Sequence, residues 1–401
     1  MKIFYKYIIV YLLMLIISCS GGGGSGESYY QYHTPEDIDI FLDEIKLNYP
    51  DITAIETVGY SETGRVIKAL VISDNPGTLE GEPAVRLTGG IHGNEMMSVE
   101  LLIRFIEYLT YGYSTSPDIK NLVDTRYICI IPVLNPDGLA VKSRYNRNGV
   151  DLNRNFNATG TSLQKETEAL QNFSSSKQFC LSITYHTGAV LVNMPFDYKS
   201  KLIDGIFPVE NNLINSFALT YTDATESNFL ANPDVYNYIY NSNYGDYIFL
   251  NKGTINGGDW YVALGTLQDW SYLQTGCLDL TVEVAKRNPT SEAGVQQIFM
   301  YNRGSLIEYI KKADEGIYGR VTDSEGTPIS NVEVTVTWDD GGETTTGDIK
   351  IKTDSNGYYN RILLAGTYNL TFSKEGYTSQ TTSKTITTSE RSLLNIQLVP
   401  L

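Results

Sequence analysis

The sequence predicts an α/β domain, built on a mixed and mostly parallel sheet with helices on both faces, followed by a small all-β sandwich. Three observations carry this prediction. From about residue 31 to 313, short apolar runs alternate with helical stretches, as they do when strands buried on both faces are separated by helices. From Gly316 the texture changes to short alternating runs divided by turn residues, among them GIYGRVTD, VEVTVTW and TYNLTF. That pattern reads as a sandwich of about 85 residues. Finally, His92, His186 and Glu283 stand at or near the ends of three separate strand runs, where open α/β sheets gather their ligands.

The elements follow in order. Thr34-Pro35-Glu36-Asp37 opens a first helix with a capping hydroxyl, a proline at the first position and acids in the first turn. Strands are expected over 53–60 and 66–73. AVRLTGG (84–90) is a buried strand ending in glycines, and a helix runs from about 95 to 110. RYICIIPVLN (126–135), FCLSITYH (179–186) and CLDLTVEV (277–284) are further buried strands, and a helix over about 291–313 closes the domain. The expected division is a leader over 1–18, a tether over 19–30, the α/β domain over 31–314 and the sandwich over 315–401. The sandwich holds no histidine and no plausible site.

The chain has 401 residues and a net charge of −16. With no basic patch to neutralise phosphates, nucleic acid is excluded as a partner; the charge suits solubility or a cationic substrate. At the N-terminus, Lys2 and Lys6 precede the apolar run Ile8–Ile17, and Cys19 stands at the cleavage point of what reads as a secretory signal. A cysteine there resembles the bacterial lipobox, so Cys19 is expected to be lipidated. The run is short for a spanning helix. SGGGGSGES (20–28) reads as a flexible tether. The expected location is the bacterial cell envelope, with the chain a monomer anchored to a membrane by lipid. Cys129, Cys180 and Cys277 are then an odd number, a poor disulfide framework. Cys129 and Cys180 read as buried free thiols; a pairing of Cys277 with either stays open.

Two of the chain's three histidines fit one metal-site pattern: His92 and Glu95 in GGIHGNE, then His186 in ITYHTGA. Zinc takes neutral imidazole nitrogen and carboxylate oxygen, and a catalytic zinc keeps three protein ligands with a fourth position open. The loop SRYNRNGVDLNRNF (143–156) supplies Arg144, Arg147, Asn153 and Arg154, residue types that grip carboxylates through charge-assisted hydrogen bonds. NGGDWYVALGTLQDWSY (256–272) has the glycine and aromatic content of a lid. Glu283 is a carboxylate on an otherwise apolar strand, where its charge needs a reason. His33, near the tether, reads as inert.

These segments resemble the zinc carboxypeptidases, most of all the regulatory subfamily of the N, E, D and M enzymes. HGNE, LNPDG, DLNRNF, the stretch from His186 to Pro195-Phe196-Asp197, NG-x-x-WY, QDW-x-Y and the T-V-E strand after Gly276-Cys277 run in the family's order from about 80 to 285. The C-terminal sandwich resembles the transthyretin-like domain of that subfamily. The resemblance implies one zinc per chain, held by His92, Glu95 and His186. It implies Glu283 as general base and Arg144 as the group that polarises the scissile carbonyl, with Arg147 an alternative in the same loop. It implies Asn153 and Arg154 as the clamp on the substrate's terminal carboxylate, Tyr261 as the lid tyrosine, and Asp197 with Gln268 in the pocket for a basic side chain. The implied activity is hydrolysis of the C-terminal peptide bond, preferring Lys or Arg, on peptides or proteins. No activation segment is visible after the tether, so the enzyme is expected to be active as made.

Departures from the family are few. The interval between Glu95 and His186 is short, with NATGTSLQKETEAL in place of a longer loop at the cleft rim; Met194 replaces an aromatic and Thr187 a glycine. Two alternatives share part of these features: a zinc peptidase for cell-wall peptides, and a surface peptide-binding lipoprotein with a dead cleft.

Overall fold

The computed structural model describes residues 29–229, 253–340, 343–387 and 391–401. The leader, Cys19 and the tether lie outside the described residues. Everything below refers to the compact unit Tyr32–Leu401. Among the described residues no helix is long and apolar enough to cross a membrane.

Helix α1 (Pro35–Asn48) starts at the Thr34 capping box, in which Thr34 and Asp37 satisfy each other's backbone amides. Then come β1 (Thr53–Tyr60), β2 (Val66–Ile72), β3 (Ala84–Thr88), α2 (Met96–Gly112), α3 (Pro117–Asp124) and β4 (Tyr127–Ile131). Helix α4 (Lys165–Lys177), β5 (Leu181–His186), β6 (Val190–Met194) and α5 (Asn211–Phe229) follow. The last elements of the domain are β7 (Thr254–Asn256), β8 (Leu278–Val284) and α6 (Glu292–Lys311).

The eight strands are ordered β1-β2-β4-β3-β5-β8-β6-β7. Pairs β4/β3, β3/β5, β5/β8 and β6/β7 are parallel, whereas β1/β2, β2/β4 and β6/β8 are antiparallel. On one face Ile67, Ala69, Val71, Cys129 and Ile131 pack with Leu170 and Phe173 of α4. The alternate residues Leu70, Ile72, Ile128 and Ile130 are equally buried, so both faces are covered and the strands read as unbroken apolar runs. Cys129, Cys180 and Cys277 are free and buried. Burial pushes all three thiols up, Cys180 to about 12, so none is a nucleophile at neutral pH.

The segment read as a cleft-rim loop, 157–170, runs into α4, which packs on β1. Of its buried residues Glu166, Thr167, Leu170, Phe173 and Ser174 only two are apolar, too few to register as a helical period in sequence. His33 is also not idle: its backbone amide and Nδ1 both meet the buried Glu100 carboxylate of α2, at 3.0 and 2.9 Å, fastening the start of α1 to α2.

Past α6 the chain forms a sandwich. One sheet is β11 (Glu343–Thr346), β10 (Glu333–Asp340), β14 (Gly366–Ser373) and β15 (Gln380–Ile386), with β12 (Ile351–Lys352) also on β10. The other is β13 (Tyr358–Arg361), β9 (Ile317–Thr322) and β16 (Ser392–Leu393), with β17 (Ile396–Gln397) also on β9. Tyr359 of one sheet meets Phe372 of the other edge to face, ring centres 5.3 Å apart, over the buried Val334, Val336 and Leu370.

Candidate active site

Three strand ends and two loops converge on a cavity of about 260 Å³. His92 leaves the loop after β3. Here Gly93 has no room for a side chain: a Cβ would lie 2.0 Å from the Gly138 backbone, so the HGNE and NPDG loops touch backbone to backbone. Glu95 stands at the start of α2, and His186 is the last residue of β5.

The Glu95 carboxylate bridges the two histidines, with His92 Nδ1 at 2.7 Å and His186 Nδ1 at 2.9 Å. The imidazole rings are 4.9 Å apart. The Thr187 amide donates to the same carboxylate at 3.0 Å. Burial opposes the Glu95 charge, but His186 and then His92 outweigh it and hold the carboxyl well below its usual range. His92 Nε2 meets Asp151 Oδ1 at 3.0 Å, fixing the ring from behind. Burial likewise opposes the Asp151 charge, yet His92 and Arg144 keep that carboxyl far below normal.

The three ligand atoms lie within 4.8 Å of one another and all three residues are buried. Two imidazole nitrogens and one carboxylate, with an outer carboxylate behind His92, are a donor set that fits zinc.

Arg144 is held by Asp151 through Nε at 3.0 Å and Nη2 at 2.9 Å, while its Nη1 reaches to 3.4 Å from Glu95. Arg147 is exposed and does not line the cavity, so of the two arginines in this loop it is Arg144 that faces the cluster. Asn153 and Arg154 line the wall. Asn153 Oδ1 accepts from the Leu267 amide at 2.9 Å, and the Arg154 guanidinium lies 5.8 Å from the Tyr261 ring centre. Tyr261 is half exposed at the mouth.

Glu283 stands opposite His186 in the β5/β8 register. Its Oε2 is buried without a hydrogen-bond partner in the protein, and burial pushes the carboxyl up to about 7. Asp197 is buried in the cavity wall and accepts from Asn193 Nδ2 at 2.9 Å. Burial raises its carboxyl, partly offset by Thr266 and Asn193. A Cβ at Gly257 would fall 1.8 Å from Asp197 Oδ1, so glycine is what leaves the carboxylate room.

One expected pocket residue is placed elsewhere. Gln268 does not line the cavity. It faces inward from the helical turn Leu267–Trp270, and its Oε1 accepts from the Thr281 amide of β8 at 2.7 Å; Thr281 takes the place in the wall. Three supporting residues escaped the sequence reading: Asp151, Asn193 and Asp269. Both Asp269 oxygens accept from the Asp197 amide at 3.0 Å, and one accepts from the Tyr198 amide at 3.1 Å. Burial, then the neighbouring Asp197, pushes the Asp269 carboxyl up to about 8. Asn193 carried a usable signal, since an amide inside the apolar run VLVNMPF needs a partner.

Comparison with known proteins agrees with this geometry. Residues 38–315 match the family model "Zinc carboxypeptidase", and residues 316–399 match "Carboxypeptidase regulatory-like domain". Carboxypeptidase D of Homo sapiens is 33% identical over 93% of this chain, although the match spans only 27% of that longer protein. The catalytic chain of carboxypeptidase N from Rattus norvegicus is 30% identical, with 92% of this chain and 86% of that protein covered. Among solved structures, carboxypeptidase A from Helicoverpa armigera superposes with a TM-score of 0.56 at 20% identity, over 76% of this chain and 78% of that one. Bovine thrombin-activatable fibrinolysis inhibitor gives 0.55 at 21%, over 70% and 96%. At those identities the superpositions speak for the fold alone. With more than half its length inside the family model and the metal-type donor cluster in place, the chain belongs to the zinc carboxypeptidase family, and a carboxypeptidase regulatory-like domain follows its α/β domain.

Proposed function

We propose that this protein is a zinc carboxypeptidase that removes the last residue of peptides and proteins, preferring Lys or Arg, with one zinc per chain held by His92, Glu95 and His186. The observation that supports this best is that one cavity combines the metal-type cluster, an anion-binding wall and the buried Asp197. Zinc in the cluster would supply Lewis acidity toward water and the scissile carbonyl.

The residues then divide the work. Glu283, whose Oε2 has no protein partner, takes the proton of the attacking water and returns it to the leaving amine. Arg144, aimed by Asp151, stabilises the negative charge that develops on the carbonyl oxygen. Asn153 and Arg154 bind the terminal carboxylate, and Tyr261 closes over it; this clamp restricts cleavage to a free C-terminus. Asp197 has no ion-pair partner among the described residues, and Asn193 Oδ1 beside it is a buried acceptor with no donor. An ammonium or guanidinium satisfies both, whereas a neutral or acidic residue leaves a buried acid unmatched.

We read Cys19 as a lipid attachment site that holds the enzyme, as a monomer, in a bacterial cell envelope. The test of the chemistry is release from peptides that differ only in their last residue: Lys, Arg, Phe, Glu or a D-residue. The expected result is chelator-sensitive release of Lys and Arg, with Asp197→Ala raising KM for both by about 10²-fold. Equal release of Phe and Glu by the unaltered enzyme would overturn the pocket assignment; no release from any peptide with zinc bound would overturn the activity.

A further inference from the structure

We propose that Glu210 and Arg361 are positioning residues through which the C-terminal sandwich sets affinity for the substrate's terminal side chain. This rests on the carboxypeptidase reading above.

Glu210 lies just before α5 and is buried, as is Arg361 at the end of β13. The Glu210 carboxylate receives four donors. Oε1 accepts from Arg361 Nη2 at 2.7 Å and from the Ile349 amide at 3.2 Å. Oε2 accepts from the Asp348 amide at 3.1 Å and from the Tyr272 hydroxyl. Three of these donors belong to the sandwich; only Tyr272 belongs to the α/β domain. The Val209 amide adds a bond to Asp348 Oδ2 at 2.8 Å. Arg361 is itself fixed by Nη1 donating to the Ile362 carbonyl at 2.8 Å.

The single α/β partner in this cluster leads to the pocket by two routes. The Tyr272 ring stands edge-on to Phe196, centres 5.7 Å apart and planes at 72°. Phe196 immediately precedes Asp197. Tyr272 also sits in the π-helical turn Ser271–Thr275, which continues directly from the turn Leu267–Trp270. That turn carries Asp269, whose carboxylate holds the Asp197 and Tyr198 amides. Through Glu210, whose fourth donor is the Tyr272 hydroxyl, and through the close approach of Gly276 to Ile349 and Ile351, the sandwich is thus linked to the segment that holds the Asp197 backbone. A seam meant only to glue two domains would be served as well by apolar contact, because a buried ion pair is no more stabilising than a well-packed apolar one. What a four-donor carboxylate adds is direction.

The test uses the zinc-loaded full chain and peptides ending in Lys or Arg. Arg361→Met is expected to raise KM for both at least fivefold with kcat changed less than twofold. Arg361→Lys should recover part of that loss, since a single ammonium still reaches Glu210. Tyr272→Phe keeps the ring on Phe196 but removes the hydroxyl, and should raise KM about threefold. A lower melting temperature with KM unchanged in Arg361→Met means simple mortar and overturns the proposal. Should Arg361→Met not fold, Tyr272→Phe decides by the same reading, and an unchanged KM there overturns it. Unaltered protein that releases neither residue sinks the carboxypeptidase reading and this inference with it; active unaltered protein with unaffected variants sinks this inference alone.

Discussion

On the proposed mechanism, the environment of Glu283 sets the pH at which the enzyme works. Its carboxyl is pushed up to about 7 by burial, with His186 pulling it down and Glu95 pushing it up. A proton acceptor works in its charged form, so activity is present above the carboxyl's titration and is lost as pH falls through it. A dipositive ion beside it favours that charged form, so the acid limb of kcat/KM in the zinc-loaded enzyme should lie below 7. Glu283→Gln should cost about 10²–10⁴-fold in kcat while zinc content, measured by atomic absorption, stays the same; unreduced turnover would remove Glu283 from the mechanism. The metal-type residues were legible because histidine is scarce here and the pattern is linear. Asp151 and Asp269 were not, since each is defined by what it holds: His92 and Arg144, and the Asp197 amide; Asn193 was signalled only as an amide in an apolar run, its partner Asp197 Oδ1 being visible in the fold alone. Gln268 stands behind the wall, its Oε1 accepting from the amide of the lining residue Thr281, a contact that its own segment does not reveal.

At the scale of elements, the central strands are tied by a charge pair as well as by apolar burial. Arg86 of β3 donates to Asp279 of β8 at 2.7 Å, both fully buried, with Ser174, Ser182 and Ser271 taking other guanidinium protons. Removing one partner strands a buried charge, so Asp279→Ala should lower stability by about 3–5 kcal/mol. The double change Arg86→Met with Asp279→Leu should cost far less, and urea denaturation of the two variants checks the difference. A single variant no worse than the double would mean that the pair carries no such role. The strands were readable because runs such as YICII are apolar at every position. Helix α4 was not, because its polar faces hide a two-residue stripe, and strand β6 was absorbed into the segment after His186. Neither the strand order nor the parallel register can be read from any one stretch, since both depend on pairings far apart in the chain.

Over the whole molecule, the change of texture at Gly316 announced a second domain, but nothing in the sequence announced where this domain docks on the first. That contact pairs Glu210 with Arg361, 151 residues apart, and neither stands out within its own segment. The proposed lipid anchor belongs to this scale as well. Cys19→Ser should move the protein from the membrane fraction to the soluble one, with KM and kcat on short peptides unchanged. Protein that stays with the membrane would rule out lipid at Cys19 as its attachment.

The pairing of His186 with Glu283 across β5 and β8 also bears on how the protein is made. A growing chain presents His92, Glu95 and His186 long before residue 283 leaves the ribosome. On the proposed mechanism, the proton acceptor joins the metal-type cluster only when β8 pairs in register with β5. A slip of one residue would put Val282 or Val284 there instead. Closing the sheet in register is therefore, on that mechanism, what completes the machinery for cleavage.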